Sequence, residues 1–437
     1  MSYVGSGRFP VEYASKIGHM KLIQNPHIQR MLEEFEKATP TTDMSVGFKS
    51  GNIDILKNNN IKYVITVDGG QAVVPNEIRS EKRLAFISIC ALLLRLDDLE
   101  EMRKNPIIDP RELAAKLQEN VWYQGAPLPL SGIKLPNETV KDTIRKTVDN
   151  VMYYWGLYET LKFLVSREWD PSYSMESEDS PHFNCRKCGA VIYVPKSKLN
   201  FKCPSCGHQH TLSDYLGIGE ECPEEWAREE AAIALRNVLE TLTLFNYVRI
   251  CWHTQPHKIE QYMFMKDGPL LLRAGLSRLV EPIRAFIQYL HDKKIPLYLV
   301  GIEKNGELVN HIGDIKEHLP EPGDYFLPSV KYILENIHGY SFNPSTYRNR
   351  VQYGSKVVAR IGPNHILPLD IPTGDFLFEP DKDNLIGFEE ILAVLSKVTS
   401  YKYENALIPI VLANSYASIS QRPSGDILYS FASRFLS

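Results

Sequence analysis

Two aspartates, each followed by glycine at the end of an apolar run, are the first residues that suggest chemistry. Asp68 follows "IKYVITV", whose alternating pattern predicts a β-strand, and Asp267 follows "YMFMK". Asp-Gly is also a common turn pair, so either aspartate alone could simply mark the end of its strand. Two strands that both end in Asp-Gly are less easily explained as turns alone.

Both predicted strands are apolar enough to be central in a sheet, where the carboxylates at the ends of adjacent strands converge. Converging carboxylates raise each other's pKa unless a cation lies between them, and Mg²⁺ or Mn²⁺ suits oxygen ligands. A pair of such ions about 3.5–4 Å apart can hydrolyse a phosphodiester. Glu240, which lies among apolar residues of a predicted helix, is the candidate third ligand. Glu229 and Glu230 are alternatives, and a surface glutamate is the simpler interpretation of Glu240.

Four cysteines have the spacing of a zinc ribbon. "CRKC", with Cys185 and Cys188, precedes "CPSC", with Cys203 and Cys206, and a glycine follows each pair. Four thiolates fill a tetrahedral zinc site, so the predicted Zn²⁺ is structural and not catalytic.

The role of this ribbon is open between two alternatives. It is either a small insertion that needs its metal to fold, or a contact module for DNA or a protein. The second alternative rests on a basic face formed by Lys187, Lys196, Lys198 and Lys202. His208 or His210 could replace one thiolate, although the regular cysteine spacing favours four sulfur ligands.

Composition restricts the class of protein. The 437 residues are enough for two or three domains, and 43% hydrophobic with 23% charged residues is typical of a globular chain. No apolar run reaches the roughly 20 residues of a membrane span, and no secretory signal is recognisable, so we expect a cytoplasmic protein. The net charge of −4 argues against a protein that coats nucleic acid, but it allows locally basic sites.

The remaining pattern predicts a mixed α/β chain. An antiparallel strand pair is expected within residues 61–96, followed by helices over about 140–166, 224–247 and 275–292. "PLYLVGIEKNGELV" is predicted to form a strand, a turn at Asn305-Gly306 and another strand. A late strand "SKVVARI", a helix near 386–398 and a helical stretch "LIPIVLANSYASIS" complete the chain.

A basic and aromatic segment is a candidate contact for nucleic acid. "YSFNPSTYRNRVQYGSK" interleaves tyrosines with Arg348 and Arg350, a pattern that suits base stacking and phosphate contact with single strands. Solvated arginines on an anchored loop are the simpler interpretation. The chain has no phosphate-binding Gly-x4-Gly-Lys loop, so any ATP hydrolysis must come from a partner.

Taken in order, these motifs resemble the NurA family of DNA nucleases. "VDGGQ" at Asp68 and "MKDGPLLL" at Asp267 are similar to the family's two Asp-Gly-Ser strands. "LVGIEKNGEL" resembles its strand with a lysine turn, here Lys304, and "ILPLDIP" resembles a later Asp-x-Pro strand, here Asp370. "LIPIVLANSYASI" resembles the C-terminal helix. The resemblance covers about residues 55–425 apart from the ribbon.

The resemblance implies an α/β fold with an RNase H-like mixed sheet flanked by helices. It divides the chain into an N-terminal helical or linker segment (1–55), two parts of a nuclease domain (56–180 and 216–437) and the inserted ribbon (181–215). The implied activity is Mn²⁺- or Mg²⁺-dependent exonuclease and endonuclease cleavage of DNA. The implied partners are DNA, a second copy in a homodimer and a hexameric HerA-type ATPase that translocates DNA. The pathway is either DNA end processing in repair or defence against foreign DNA.

Carried over by position, the catalytic metal ligands are Asp68, Glu240 and Asp267. Lys304, Arg348 and Arg350 are the expected DNA contacts. Asn414 stands where the family's helix has a histidine, and an amide can ligate a hard cation but cannot act as a base. That departure supports an alternative, an adaptor that binds DNA or the ATPase without cleaving. Gly70 and Pro269 also replace the serines of the two motifs.

Overall fold

The computed structural model describes residues 18–35, 47–75, 82–104, 120–174, 180–196, 198–345, 349–400 and 405–435. The chain divides into two units, Met1–Met44 and Ser45–Ser437. In the first unit, α1 spans Gly18–Ile23 and α2 spans Pro26–Glu34. Asn25 caps α2, because its side chain accepts a hydrogen bond from the His27 backbone N–H at 3.0 Å.

The second unit contains the sheets. Its strands, in chain order, are β1 Phe48–Asn52, β2 Tyr63–Val74, β3 Arg83–Arg95, β4 Val121–Ser131, β5 His182–Asn184, β6 Val191–Tyr193, β7 Asn200–Lys202, β8 Gln209–Thr211, β9 Tyr262–Asp267, β10 Tyr298–Ile302, β11 Asp324–Pro328, β12 Ser355–Gly362 and β13 His365–Ile371. Within the described ranges, nine strands form one sheet in the order β1-β11-β12-β13-β10-β9-β2-β3-β4, and β5-β6 and β7-β8 form two small hairpins.

The large sheet is mixed. β2, β3 and β4 are antiparallel neighbours, whereas β9 joins β2 in parallel and β10 joins β9 in parallel. The far half, from β13 to β1, is antiparallel. A mixed α/β fold with a large sheet is therefore confirmed, and the Asp68 and Asp267 strands are adjacent and central.

Helices cover both faces of this sheet. They are α3 Leu96–Lys104, α4 Val140–Tyr154, α5 Tyr158–Val165, α6 Glu229–Thr254, α7 Val280–Asp292, α8 Glu307–Ile315, α9 Val330–Tyr332, α10 Phe388–Lys397, α11 Ile408–Ala417 and α12 Asp426–Ser433. One core contains Ile65 and Phe264 with residues of α4 to α7, and the other contains Val64 and Met265 with residues of α10 and α11. Burial on both faces explains why the central strands are nearly continuously apolar.

The structure corrects three predicted elements. The helix predicted over 140–166 is two helices, separated at Gly156, which adopts a positive φ of 68°. The strand predicted after Asn305-Gly306 is α8, whose buried residues Leu308, His311 and Ile315 have helical spacing. The helix predicted from about 224 begins at Glu229 and continues to Thr254.

None of the helices in the described ranges is both long and apolar enough to cross a membrane.

Candidate active site

One open cavity of about 450 Å³ lies at the ends of β9 and β10, beside Asp68 of β2. It brings together five residues that the sequence singled out, and its lining includes Asp68, Glu240, Asp267, Lys304 and Asn414. The pairing of β2 with β9 runs from Tyr63 opposite Tyr262 to Val67 opposite Lys266. Both aspartates therefore follow directly after the last paired residues, and this shared register places them at one edge of the β2–β9 ladder.

The sequence suggested that Asp68 ends its strand. In the structure, Asp68 lies within β2. β2 continues through Gly69 and Gly70 to Val74, because β3 pairs with it along its whole length. The Asp68 side chain is buried, with 5% of the residue exposed. Its Oδ1 accepts a hydrogen bond from the Gly69 backbone N–H at 2.7 Å, whereas Oδ2 is buried without a partner among the described residues.

This environment opposes ionisation of Asp68. Burial is the largest effect, and the nearby charges of Asp267 and Glu240 add to it, so the pKa of Asp68 rises to about 7. Lys304 and the Gly69 N–H oppose the shift. A buried carboxylate oxygen with no partner, next to two further carboxylates, is an arrangement that a bound cation would relieve.

Glu240 reaches the cavity from α6. Gly69 makes this possible, because a Cβ at that position would lie 2.5 Å from Glu240 Oε1. Glu240 is 4% exposed, whereas Glu229 and Glu230 are exposed, and Glu229 pairs with Arg83. Of the three glutamates considered from the sequence, Glu240 is therefore the one beside Asp68. Its apolar sequence neighbourhood reflects this burial.

Lysines partly neutralise the acidic cluster. Lys266, only 3% exposed, places its Nζ 2.9 Å from Glu240 Oε2, and Lys304 places its Nζ 2.6 Å from Asp267 Oδ2. Burial alone would lower the pKa of Lys266, but Glu240 and Asp267 hold it above its ordinary value. Sequence reasoning missed Lys266, although a lysine inside the apolar strand "YMFMKD" was a signal.

The three carboxylates are less compact than a preformed metal cage. Among the described residues, only the four cysteines form a group of three or more ligands whose donor atoms all lie within 4.8 Å of one another. Mg²⁺ is commonly held by one or two carboxylates, waters and substrate phosphates, so an open acidic cavity fits a hard divalent ion.

Asn414 is an exposed residue on the rim of the cavity, on α11. The C-terminal end of this helix is fixed on β2 and β3, because Ser88 Oγ donates to the Ala417 carbonyl at 2.5 Å. Gly70 is required there, since a Cβ would lie 2.0 Å from the Ala417 carbonyl oxygen. The glycine in place of a serine thus has a packing reason.

A second charged group fixes the turn after Asp267. Asp370, which is completely buried, accepts a hydrogen bond from the Leu270 backbone N–H at 2.7 Å. Lys356 contacts Asp370 Oδ1 at 2.8 Å and also pairs with Glu303, which lines the cavity. Gly268 completes the turn by donating to the Ile302 carbonyl at 2.8 Å.

The four cysteines lie together, as their spacing predicted. Cys185 Sγ is 3.7 Å from Cys206 Sγ, and Cys188 Sγ is 3.7 Å from Cys203 Sγ. Zinc–sulfur bonds of about 2.3 Å in a tetrahedron place sulfur atoms about 3.8 Å apart, so the donor set fits Zn²⁺. Each cysteine pair lies on a turn that closes through a left-handed glycine, Gly189 at φ 74° and Gly207 at φ 71°.

His210 supports the cluster from outside and does not replace a thiolate. Its Nε2 lies 3.4 Å from Cys185 Sγ, and its Nδ1 lies 2.9 Å from Asp214 Oδ2. Burial alone would raise the pKa of Asp214, but its pair with Arg145 at 2.6 Å outweighs burial and lowers it. Hydrogen-bonded partners of this kind orient metal ligands.

Of the two predicted arginine contacts, the structure describes only Arg350. Arg348 falls outside the described residues. Arg350 is exposed and lines a different cavity, of about 910 Å³, that shares no lining residue with the acidic one.

No protein-family model and no curated protein sequence matches the chain. Among solved structures, the chain is similar to the NurA nuclease from Sulfolobus solfataricus, with 10% identity and a TM-score of 0.38. The superposition covers 97% of this chain and 98% of that one.

Proposed function

We propose that the protein is a metal-dependent DNA nuclease of the NurA type, built on an RNase H-like sheet. The observation that carries this proposal is the buried, unpartnered Oδ2 of Asp68 in a cavity that Asp267 and Glu240 share. An antiparallel β2-β3-β4 meander, extended by the parallel strands β9 and β10, supports the fold assignment. The inserted four-cysteine module is proposed to be a structural zinc ribbon at about residues 181–215.

Asp68, Asp267 and Glu240 are the residues that would hold Mn²⁺ or Mg²⁺. A bound divalent ion would supply Lewis-acid stabilisation of phosphate oxygens and an activated water. Lys304, whose side chain is 44% exposed, is placed to contact a phosphate of the DNA. The buried Lys266 is placed to hold the Glu240 carboxylate in position. Asn414 can accept or donate a hydrogen bond at the rim, but it offers no general base.

The wider assignments follow from the resemblance. We propose that the protein works as a homodimer with a HerA-like hexameric ATPase, in DNA end processing or in defence against foreign DNA. The absence of a phosphate-binding Gly-x4-Gly-Lys loop from the sequence supports a separate ATPase.

The testing experiment compares the wild type with Asp68→Asn and Asp267→Asn on linear double-stranded and single-stranded DNA with Mn²⁺. Each reaction is run with and without the ATPase. Asp383→Asn is the matched control, because its side chain is 83% exposed and lies outside the cavity. We expect cleavage by the wild type and the control, and a loss of at least about 100-fold in the other two variants. Equal cleavage by all four proteins would refute the proposed site.

The adaptor is the second candidate. The tight Glu240–Lys266 and Asp267–Lys304 pairs favour it, because two of the three carboxylates already have cationic partners. Asn414, at the position where the family has a histidine, also favours the adaptor. An adaptor would bind DNA or the ATPase with the wild-type sequence and cleave under none of these conditions. It would also show no stabilisation by Mn²⁺.

A further inference from the structure

The 910 Å³ cavity lies between β5 of the ribbon and the N-terminal part of α7. Pro181, His182 and Phe183 of the ribbon form one wall. The charged residues of the rest of the lining are mostly arginines. They are Arg167, Arg278, Arg284 and Arg350, and the one acidic lining residue is Glu281, so the lining has a formal excess of three positive charges. A cleft with this excess attracts anions.

Most of these arginines also have structural partners. Arg167 pairs with Glu281, and Arg278 Nη2 contacts Glu220 Oε2 at 2.9 Å. Arg284 donates to the Asn349 and Gln352 carbonyls, which holds the segment carrying Arg350. The Arg350 side chain itself has no hydrogen bond or ion pair among the described residues.

Three side chains around this cavity, Arg167 among them, have a donor atom that lacks a partner. Arg167 Nε, Tyr173 Oη and Ser180 Oγ are all buried without a hydrogen bond in the part of the chain that the structure describes. Ser180 is only 1% exposed, and the Arg167 guanidinium lies 4.4 Å from the Tyr173 ring centroid. Buried donors are rarely left unsatisfied in native proteins, and three donors around one cationic cavity suit an oxygen-rich anion.

The backbone limits the distance between this cavity and the acidic one. Leu271 pairs with Gln352 in a β-bridge, and the Leu272 N–H donates to the Val351 carbonyl at 2.7 Å. Six residue steps and one strand-to-strand step therefore separate Asp267 from Arg350, a path of at most about 26 Å. At roughly 3.4 Å per nucleotide, the rise of a base-stacked strand, at most about eight nucleotides would cover that path.

We propose that the Arg350 cavity binds the phosphate backbone of a single DNA strand whose other end reaches the acidic cavity. This inference rests on the proposed nuclease function, and it gives the ribbon a role as one wall of a strand-binding cleft. The ligand is recognised as a run of phosphodiesters and not by base identity.

The test is a binding measurement without cleavage. A fluorescein-labelled twelve-residue oligo-dT is titrated with the full-length, zinc-loaded protein, with no Mn²⁺ or Mg²⁺ added, and anisotropy is followed at several salt concentrations. For Arg350→Ala we expect about tenfold weaker binding. The slope of the logarithm of the binding constant against the logarithm of the salt concentration should fall in magnitude by about 0.7. For Tyr173→Phe we expect about threefold weaker binding with unchanged or increased stability, because an unsatisfied buried hydroxyl is removed.

Arg95→Ala is the matched control, because Arg95 is exposed and lies outside this cavity. Unchanged affinity in both Arg350→Ala and Tyr173→Phe would overturn the proposal. Competition by dTMP at concentrations similar to the oligomer would also overturn it, in favour of a site for a free nucleotide. The nuclease proposal can fail while the strand-binding proposal holds. That result would be an absence of DNA cleavage by the wild type together with weaker oligomer binding by Arg350→Ala.

Discussion

The raised pKa of Asp68 gives a prediction that depends on no assumption about substrate. The carboxyl has a pKa of about 7 in the folded protein and an ordinary value of 3.8 when exposed. Between these two values the folded state binds more protons than the unfolded state, so the free energy of unfolding falls as pH rises. Above about pH 7 both states are ionised and this dependence ends.

The size of the effect follows from the same two values. A difference of about three pKa units corresponds to about 4 kcal/mol of destabilisation at high pH, and about 2.5 kcal/mol of it develops between pH 5 and pH 8. Asp68→Asn removes the titration and nearly preserves the shape. We therefore expect the stability of the variant, relative to the wild type, to increase by about 2.5 kcal/mol from pH 5 to pH 8.

The assay is urea unfolding of both proteins at pH 5 and pH 8, without catalytic metal or chelator, so that the ribbon keeps its zinc. Comparing the variant with the wild type at each pH cancels titrations that the two proteins share. Adding Mn²⁺ at pH 8 should stabilise the wild type by about 2.7 kcal/mol at 100 times the dissociation constant, and the variant by less. A variant–wild-type difference that stays constant between the two pH values would show that the surroundings of Asp68 do not oppose its charge.

The other predictions concern the residues that shape the two sites. Gly69→Ala should lower the free energy of unfolding by about 1–3 kcal/mol and reduce DNA cleavage, because its Cβ would lie 2.5 Å from Glu240 Oε1. Gly125→Ala is the control, because the nearest atom to its Cβ would be 3.7 Å away, and it should change stability and cleavage little. Urea unfolding and a cleavage assay test this pair, and equal effects would contradict it. His210→Ala should weaken zinc binding about 10- to 100-fold in a chelator competition, and an unchanged zinc affinity would exclude its supporting role. Asp370→Asn should slow cleavage by at least about tenfold while the variant still binds oligo-dT, because Asp370 fixes the turn after Asp267. A wild-type cleavage rate would remove Asp370 from that role.

Local patterns were sufficient for much of the chain. The four cysteines were recognisable because zinc-ribbon spacing is a short-range feature, and the fold brings their sulfur atoms to 3.7 Å in pairs. The apolar strands before Asp68 and Asp267 were also recognisable, because burial on both faces leaves a nearly continuous apolar run. The strand predicted after Asn305-Gly306 was wrong, because the residues there have helical spacing and form α8.

The assignment of partners required the tertiary structure. Nothing near Lys266 in the sequence identifies Glu240 as its partner, because that pair forms only when α6 packs across β2 and β9. The unpaired donors of residues 167–180 likewise lie near Arg350 only because the fold brings these distant parts of the chain to one cavity.

The sequence alone therefore determined which residue types and local elements are present: the strand pair, the four-cysteine ribbon and acidic residues that suit a hard metal ion. Only the tertiary structure decided that Asp68 lies within a strand, that Glu240 is the third carboxylate and that lysines partly neutralise the cluster. The physical reason is distance along the chain. Strand and turn preferences are set by neighbouring residues, whereas the electrostatics of a cavity depend on side chains that only packing brings together.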